Sequence, residues 1–65
     1  MKTFRIWIVY RVRVSDNITL TKTKIYYHDT DSLISAREYG LKKFMNDVEE
    51  LDSICSIEID EVLMC

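Results

Sequence analysis

The feature that most constrains the fold is an alternation of side-chain character along residues 2–14. The even positions are apolar or aromatic, whereas most odd positions are polar or positively charged. A period of two with many β-branched and aromatic residues predicts a β-strand that buries one face only. The residues predicted to face the core are Phe4, Ile6, Ile8, Tyr10, Val12 and Val14, and those predicted to face outward are Thr3, Arg5, Trp7, Val9, Arg11 and Arg13.

A turn and a second strand are predicted next. Short polar side chains at Ser15-Asp16-Asn17 favour a turn because they bond to nearby backbone. Residues 18–28 are rich in Ile, Thr and Tyr and predict the return strand. Its apolar residues change face part-way along, which predicts a β-bulge near residues 21–23. Beyond that bulge, the outer face would carry Lys22, Lys24 and Tyr26.

A helix is predicted after the second strand. Residues 29–32 offer side-chain oxygens that can cap its first turn, together with early negative charge. Ala36 and Gly40 form a small patch that would let the helix lie close to the sheet. The apolar residues at helical spacing are Leu33, Ala36, Gly40, Leu41, Phe44 and Val48, with Leu51 as a further candidate.

Residues 53–63 predict a third strand, with Cys55, Ile57 and Ile59 facing inward and Ser56, Glu58 and Asp60 outward. The helix runs back along the sheet, so the third strand should run parallel to the second and pair beside the first. The expected fold is one α+β domain, residues 1–65, with a three-stranded antiparallel sheet (ββαβ, order 2-1-3) and one helix packed on one face.

No catalytic constellation is visible in this sequence. It has no phosphate-binding loop, and its one histidine, His28, is expected to be a solvated loop residue. Cys55 is expected in the core, and Cys65 as a frayed last residue. Their spacing fits no standard zinc site. The sequence therefore predicts a non-enzyme without a cofactor or bound metal.

The sequence also predicts that this is not a membrane protein. No apolar run approaches the roughly 18 residues of a membrane span. Met1-Lys2-Thr3 leads directly into the first strand, so no signal peptide is expected. Two cysteines are too few for the disulfide framework that small secreted domains use. These features together predict a cytoplasmic protein.

The charges are distributed unevenly along the chain. Basic residues outnumber acidic ones in residues 1–28, whereas residues 44–65 contain seven acidic residues and no basic one. One interpretation is mutual neutralisation of the first and third strands. The other is an acidic edge aimed at a basic partner, or a basic hairpin aimed at nucleic acid.

An uncovered sheet face is the strongest candidate binding surface. An exposed Trp7 beside Val9 and arginines has the composition of an interaction hot spot. Trp7 could instead be covered within the monomer by arginine stems and Tyr26, or buried in a homodimer. Leu63 belongs to a second apolar candidate, Val62-Leu63-Met64, which would otherwise extend the third strand. The candidate partner-binding residues are Arg5, Trp7, Val9, Arg11, Tyr26, Glu58, Asp60 and Leu63.

Nucleic acid is the alternative partner. Trp7 and Tyr26 could stack on bases, with Arg5, Arg11 and Lys24 near the phosphates. The sequence pI of about 5.2 and the expected presence of Glu58 and Asp60 on the same face argue against this interpretation.

Three segments resemble small phage-encoded inhibitors of host enzymes. They are Thr23-Lys24, Leu41-Lys42-Lys43-Phe44-Met45-Asn46-Asp47 and Ile54-Cys55-Ser56-Ile57-Glu58-Ile59-Asp60. They are similar to the Dmd family of T-even phage antitoxins, which neutralise host endoribonuclease toxins of the RnlA and LsoA type. That family carries a Trp near the helix start, and this chain has none there.

The resemblance implies a class of function without a set of contact positions. The expected function is a phage protein that blocks a host defence or regulatory enzyme in the host cytoplasm. In this hypothesis the acidic segment 47–61 complements a basic groove of the target, and an apolar anchor fixes the register.

Overall fold

The first strand lies at the centre of a three-stranded sheet. β1 (Lys2–Ser15) pairs antiparallel with β2 (Ile18–Thr30) on one side and with β3 (Leu51–Val62) on the other. The helix, α1 (Leu33–Asp47), connects β2 to β3. This is a computed structural model, and it describes residues 1–63. The predicted α+β fold, ββαβ with strand order 2-1-3, is confirmed.

The core lies between α1 and the even-numbered side chains of β1. Ile6 and Ile8 are fully buried, and the helix contributes Ala36 and Phe44 to the same cluster. The rings of Tyr10 and Phe44 pack edge to face, with their centroids 4.8 Å apart. The alternation of β1 therefore predicted the buried face correctly from Phe4 to Tyr10.

Gly40 lets the helix approach β1 closely. A Cβ at this position would lie 2.6 Å from Cγ2 of Ile6, a separation that real Cβ atoms do not show. Gly40 and Ala36 are both buried. The predicted small-residue patch is therefore present, and it faces the centre of the sheet.

The second strand has no bulge at residues 21–23, so that prediction is wrong. Its pairing with β1 continues without a shift from Thr19 to Thr30, and the only irregularity lies between Arg13 and Ser15. Alternation therefore persists along β2. The apolar residues change face along a regular backbone: Leu20 lies on the helix side, and Ile25 and Tyr27 lie on the opposite face.

The helix covers only part of the sheet length. Fifteen helical residues rise roughly 22 Å at 1.5 Å each, whereas the molecule is 45 Å long. The hairpin end therefore extends past Asp47, the last helical residue. On the helix side of the sheet, Ile18 and Leu20 are left exposed there.

The third strand contains the irregularities that the second lacks. Its register shifts between Val9 and Tyr10, which leaves Cys55 without a partner on β1, and again between Arg11 and Val12, which leaves Asp52 unpaired in the same way. Cys55 is exposed, so the prediction that it lies in the core is wrong. The bulge breaks the alternation that would have turned its side chain inward.

The helix start differs in detail from the prediction. β2 continues to Thr30, and Ser32 is the N-cap, whose hydroxyl accepts a hydrogen bond from the Ser35 amide. His28 therefore lies within β2 and stacks on Tyr39 of α1, with ring centroids 3.9 Å apart. The prediction of a solvated loop histidine is wrong, because the strand runs further than its apolar pattern suggested.

The last strand ends close to the predicted position. Val62 is the final residue of β3 and Leu63 follows it. Met64 and Cys65, named in the sequence predictions, lie outside the described residues. Within residues 1–63 the helix is neither long nor apolar enough to cross a membrane.

Candidate functional site

The candidate site is the sheet face opposite α1, which we call the open face. It consists of the odd-numbered side chains of β1 and the residues that pair with them on β2 and β3. No described element covers it. Because directly paired residues project to the same side of a sheet, the register fixes the composition of this surface.

An apolar cluster lies at the middle of the open face. Trp7 is 40% exposed and pairs with Ile25, which is 46% exposed. Tyr27 lies one step along β2 from Ile25 and is 57% exposed. Val9 continues the cluster along β1 and is half-buried. Large apolar side chains grouped on a solvent-facing sheet are typical of an interaction surface.

Arg5 borders this cluster and is held by the third strand. Its Nε and Nη2 atoms donate to the two carboxylate oxygens of Asp60, at 3.1 and 2.6 Å. That hydrogen-bonded pairing raises the pKa of Arg5. The Arg5 guanidinium carbon also lies 6.0 Å from the centre of the Trp7 ring. Arg5 therefore packs beside Trp7, while the indole remains partly exposed.

Further contacts between β1 and β3 neutralise charges in the same way. Lys2 pairs with Glu61 at 3.6 Å, and Arg13 pairs with Asp52 at 3.2 Å. These contacts and the Arg5–Asp60 pair favour the first interpretation of the charge asymmetry, in which the two strands neutralise each other. Much of the acidic segment 47–61 is consequently occupied within the chain.

Two charged residues that border the apolar cluster are not part of these ion pairs. Arg11 lies opposite Ser53, and Glu58 lies opposite Trp7. Neither forms an ion pair within residues 1–63. They flank the apolar cluster with opposite charge, so together they could orient a partner without giving the surface a strong net charge.

Tyr26 is not part of the open face, contrary to prediction. It pairs with Ile6 and therefore lies on the helix side, where its hydroxyl donates to Asp47 at 3.0 Å. Partial burial, reinforced by the hydrogen bond to the Asp47 carboxylate, raises the pKa of Tyr26 to about 12. The error follows from the absent bulge. Lys22 and Lys24, which pair with Tyr10 and Ile8, also lie on the helix side.

Leu63 is 82% exposed but is separate from the cluster. Val62, the residue before it, pairs with Thr3 and lies four positions beyond Glu58. That spacing is roughly 13 Å along a strand. The structure therefore brings together six of the eight candidate residues, and it leaves out Tyr26 and Leu63. The six are Arg5, Trp7, Val9, Arg11, Glu58 and Asp60.

Sequence reasoning missed Ile25 and Tyr27. The signal that could have found them was the uninterrupted alternation of β2, which places both on the face of Trp7. The assumed bulge hid that signal.

Shallow depressions flank Trp7 on its β3 side. One is lined by Arg5, Glu58 and Asp60, and the other by Val9, Ser56 and Glu58. Both are open to solvent and suit the side chains of a partner better than an enclosed small molecule. Within the described residues, no group of three or more His, Cys, Asp or Glu side chains is placed to hold a metal ion.

Comparison with known proteins gives no relative for this chain. No protein-family model matches it, and neither a curated protein nor a solved structure is significantly similar to it.

Proposed function

We propose that this chain is a non-catalytic inhibitor that binds a host protein through the open face. The observation that carries the proposal is the cluster of Trp7, Ile25 and Tyr27 on a sheet surface that no described element covers. Trp and Tyr are over-represented among residues that dominate binding energy, since each buries a large area at low entropic cost. Trp7 would be the anchor, surrounded by Val9, Ile25 and Tyr27.

The charge of the open face supports a protein partner over a nucleic acid. The basic residues on this face are Arg5, Arg11 and Arg13, and two of them are paired with carboxylates of β3. Glu58 adds a free negative charge beside Trp7. A surface that binds nucleic acid needs an excess of unpaired cations, because contacts with the phosphate backbone of the nucleic acid supply most of the affinity.

Internal pairing changes the way in which the acidic segment would act. Asp52, Asp60 and Glu61 each pair with a cation of β1, and Asp47 accepts from Tyr26. The segment is therefore a weaker complement to a basic groove than its sequence suggests. Recognition would depend on the apolar cluster, with Arg11 and Glu58 fixing the orientation of the partner.

The resemblance to phage antitoxins supplies the class of target. The proposed host protein is a defence or regulatory enzyme in the host cytoplasm, and the specific form of the proposal is an endoribonuclease toxin of the RnlA or LsoA type. The segments that carry the resemblance are Thr23-Lys24 of β2, the second half of α1 and the middle of β3.

The test is inhibition of purified toxin. RNA cleavage by an RnlA-type or LsoA-type ribonuclease is measured while the chain is titrated from zero to several-fold molar excess. We expect inhibition that saturates near one chain per toxin and that Trp7→Ala weakens. Ile34→Ala is the matched control, because Ile34 is an exposed apolar residue on α1, away from the open face.

Full cleavage at every ratio would remove the antitoxin form of the proposal. A mobility shift of oligonucleotides at low salt that is lost in Arg11→Ala would favour nucleic acid instead. Equal inhibition by wild type and Trp7→Ala would place the binding surface elsewhere.

A further inference from the structure

The two outer edges of the sheet are built differently. β3 carries two register shifts and a row of acidic side chains, both of which discourage another strand from pairing with it. β2 has neither, since its ladder with β1 is regular from Thr19 to Thr30. A long regular edge strand presents unpaired backbone donors and acceptors, and monomeric proteins usually protect such an edge.

The composition of the β2 edge also favours pairing. Its open-face side chains from Thr19 to Tyr27 are all Thr, Ile or Tyr, which have high strand propensity and carry no charge. The first charged residue on this face is Asp29. The two lysines of the strand, Lys22 and Lys24, alternate onto the helix side.

We propose that the β2 edge pairs with the β2 edge of a second copy of this chain, giving one continuous six-stranded antiparallel sheet. A two-fold axis perpendicular to the sheet would keep both helices on one side and join the two open faces on the other. The dimer does not depend on the proposed inhibitory function, since it needs no host partner.

Charge selects the register of this pairing. Nearly the whole regular stretch of β2 can pair with its copy if the two-fold axis passes beside Lys24 or beside Ile25. Centring on Lys24 would set two ammonium groups opposite each other, which is destabilising. Centring on Ile25 pairs Ile25 with itself, and it sets Lys24 opposite Tyr26 of the second copy.

Next to the axis, the same register pairs uncharged residues with strong strand preference, since Thr23 lies opposite Tyr27 of the second copy. Farther out, Thr21 lies opposite Asp29 of the second copy. β-Branched and aromatic pairs of this kind stabilise antiparallel ladders. No two like charges lie directly opposite each other on either face.

A self-paired residue gives a sharp test by disulfide formation. In a Cys55→Ser, Cys65→Ser background, Ile25→Cys places two thiols directly opposite across the axis. Paired Cα atoms in antiparallel strands lie about 4.5–5.5 Å apart, within the range that a disulfide spans. Thr23→Cys is the matched control, because its two copies would lie roughly 13 Å apart along the strand direction.

Under mild oxidation we expect the Ile25→Cys variant to form a covalent dimer and the Thr23→Cys variant to remain monomeric on non-reducing gels. Equal cross-linking of both variants, or none in either, would overturn the proposal. Sedimentation provides the second measurement, in which Ile25→Lys should raise the dimer dissociation constant by about tenfold or more. Ile34→Lys makes the same change on the helix and should leave the dimer dissociation constant unchanged.

The Trp7→Ala variant separates this dimer from one that pairs open faces. An edge-to-edge dimer keeps its dissociation constant in Trp7→Ala, whereas a face-to-face dimer loses affinity. Sedimentation of the wild type as a monomer at high concentration would contradict the edge-paired dimer without affecting the proposed inhibitory function.

Discussion

Gly40 of the helix lies against Ile6 of the central strand so closely that a Cβ would come within 2.6 Å of Cγ2 of Ile6. Ile6 is fully buried and branched at Cβ, so its side chain has little freedom to move away. This contact sets the separation between helix and sheet. It also keeps the even-numbered face of β1 inside, which leaves Trp7 on the opposite face.

Gly40→Ala should therefore destabilise the protein. Alanine improves intrinsic helix propensity by about 1 kcal/mol, but overpacking a filled core typically costs about 1–3 kcal/mol. We expect a net loss in the free energy of unfolding, measured with urea. The loss should shrink in an Ile6→Ala background, where the opposing γ carbons are absent. A stabilising Gly40→Ala would mean that the helix lies farther from the sheet.

Phe44, in the core, and Trp7, on the open face, should respond differently to truncation. Phe44→Ala empties a fully buried site and should cost about 3–5 kcal/mol of stability. Trp7→Ala removes a partly exposed indole and should cost less than half as much. Chemical denaturation of both variants measures the contrast. Equal losses would mean that Trp7 is a core residue and that the open face is covered.

Glu50 should be a site of backbone strain. Its φ of 56° lies in the left-handed region, which costs a non-glycine residue roughly 1–2 kcal/mol. Glycine removes that cost but loses about 0.4–1 kcal/mol through greater freedom in the unfolded chain. Glu50→Gly should therefore raise the free energy of unfolding by about 0.5 kcal/mol. Glu49→Gly, the matched control, should lower it. Equal destabilisation by Glu50→Gly and Glu49→Gly would mean that the backbone at Glu50 is not strained.

Tyr26 should titrate later than an ordinary tyrosine. Its pKa is raised from 10.0 to about 12 by burial and by the Asp47 carboxylate, because both disfavour the phenolate. The resulting stabilisation is fully present below pH 10 and is lost as the pH rises through about 12. Ultraviolet titration should show a late component that is missing in Tyr26→Phe. An unchanged titration curve in that variant would contradict the assignment.

The sequence was most informative in the parts of β1 and α1 that pack directly against each other. The alternation of β1 identified Phe4, Ile6, Ile8 and Tyr10 as core residues, and the spacing of Ala36, Gly40 and Phe44 identified the inner side of α1. Strand order followed from the direction of the helix. In these elements a single hydrophobic period dominates, so the pattern and the fold agree.

Prediction failed where a strand extends past the element that covers it. Ile18 and Leu20 lie on the helix side but beyond the helix, whereas Ile25 and Tyr27 lie on the open face. The change of apolar face in β2 therefore resembled a bulge. The real bulge near Cys55 was invisible, since its position depends on pairing with β1 and not on local composition. The bulge wrongly assumed in β2 changed the predicted site, through Tyr26 and through the missed Ile25 and Tyr27, whereas the missed bulge in β3 changed the predicted position of Cys55.

The most direct test of the central claim is quantitative capture from bacterial host lysate with wild type, Trp7→Ala and Ile34→Ala immobilised at equal density. We predict that wild type and Ile34→Ala retain the same host protein in near-stoichiometric amount. Trp7→Ala should lose at least about 2 kcal/mol of binding free energy, which is roughly thirtyfold in affinity. Equal retention by all three chains, or recovery of ribosomes and bulk RNA alone, would contradict a protein-binding role for the open face.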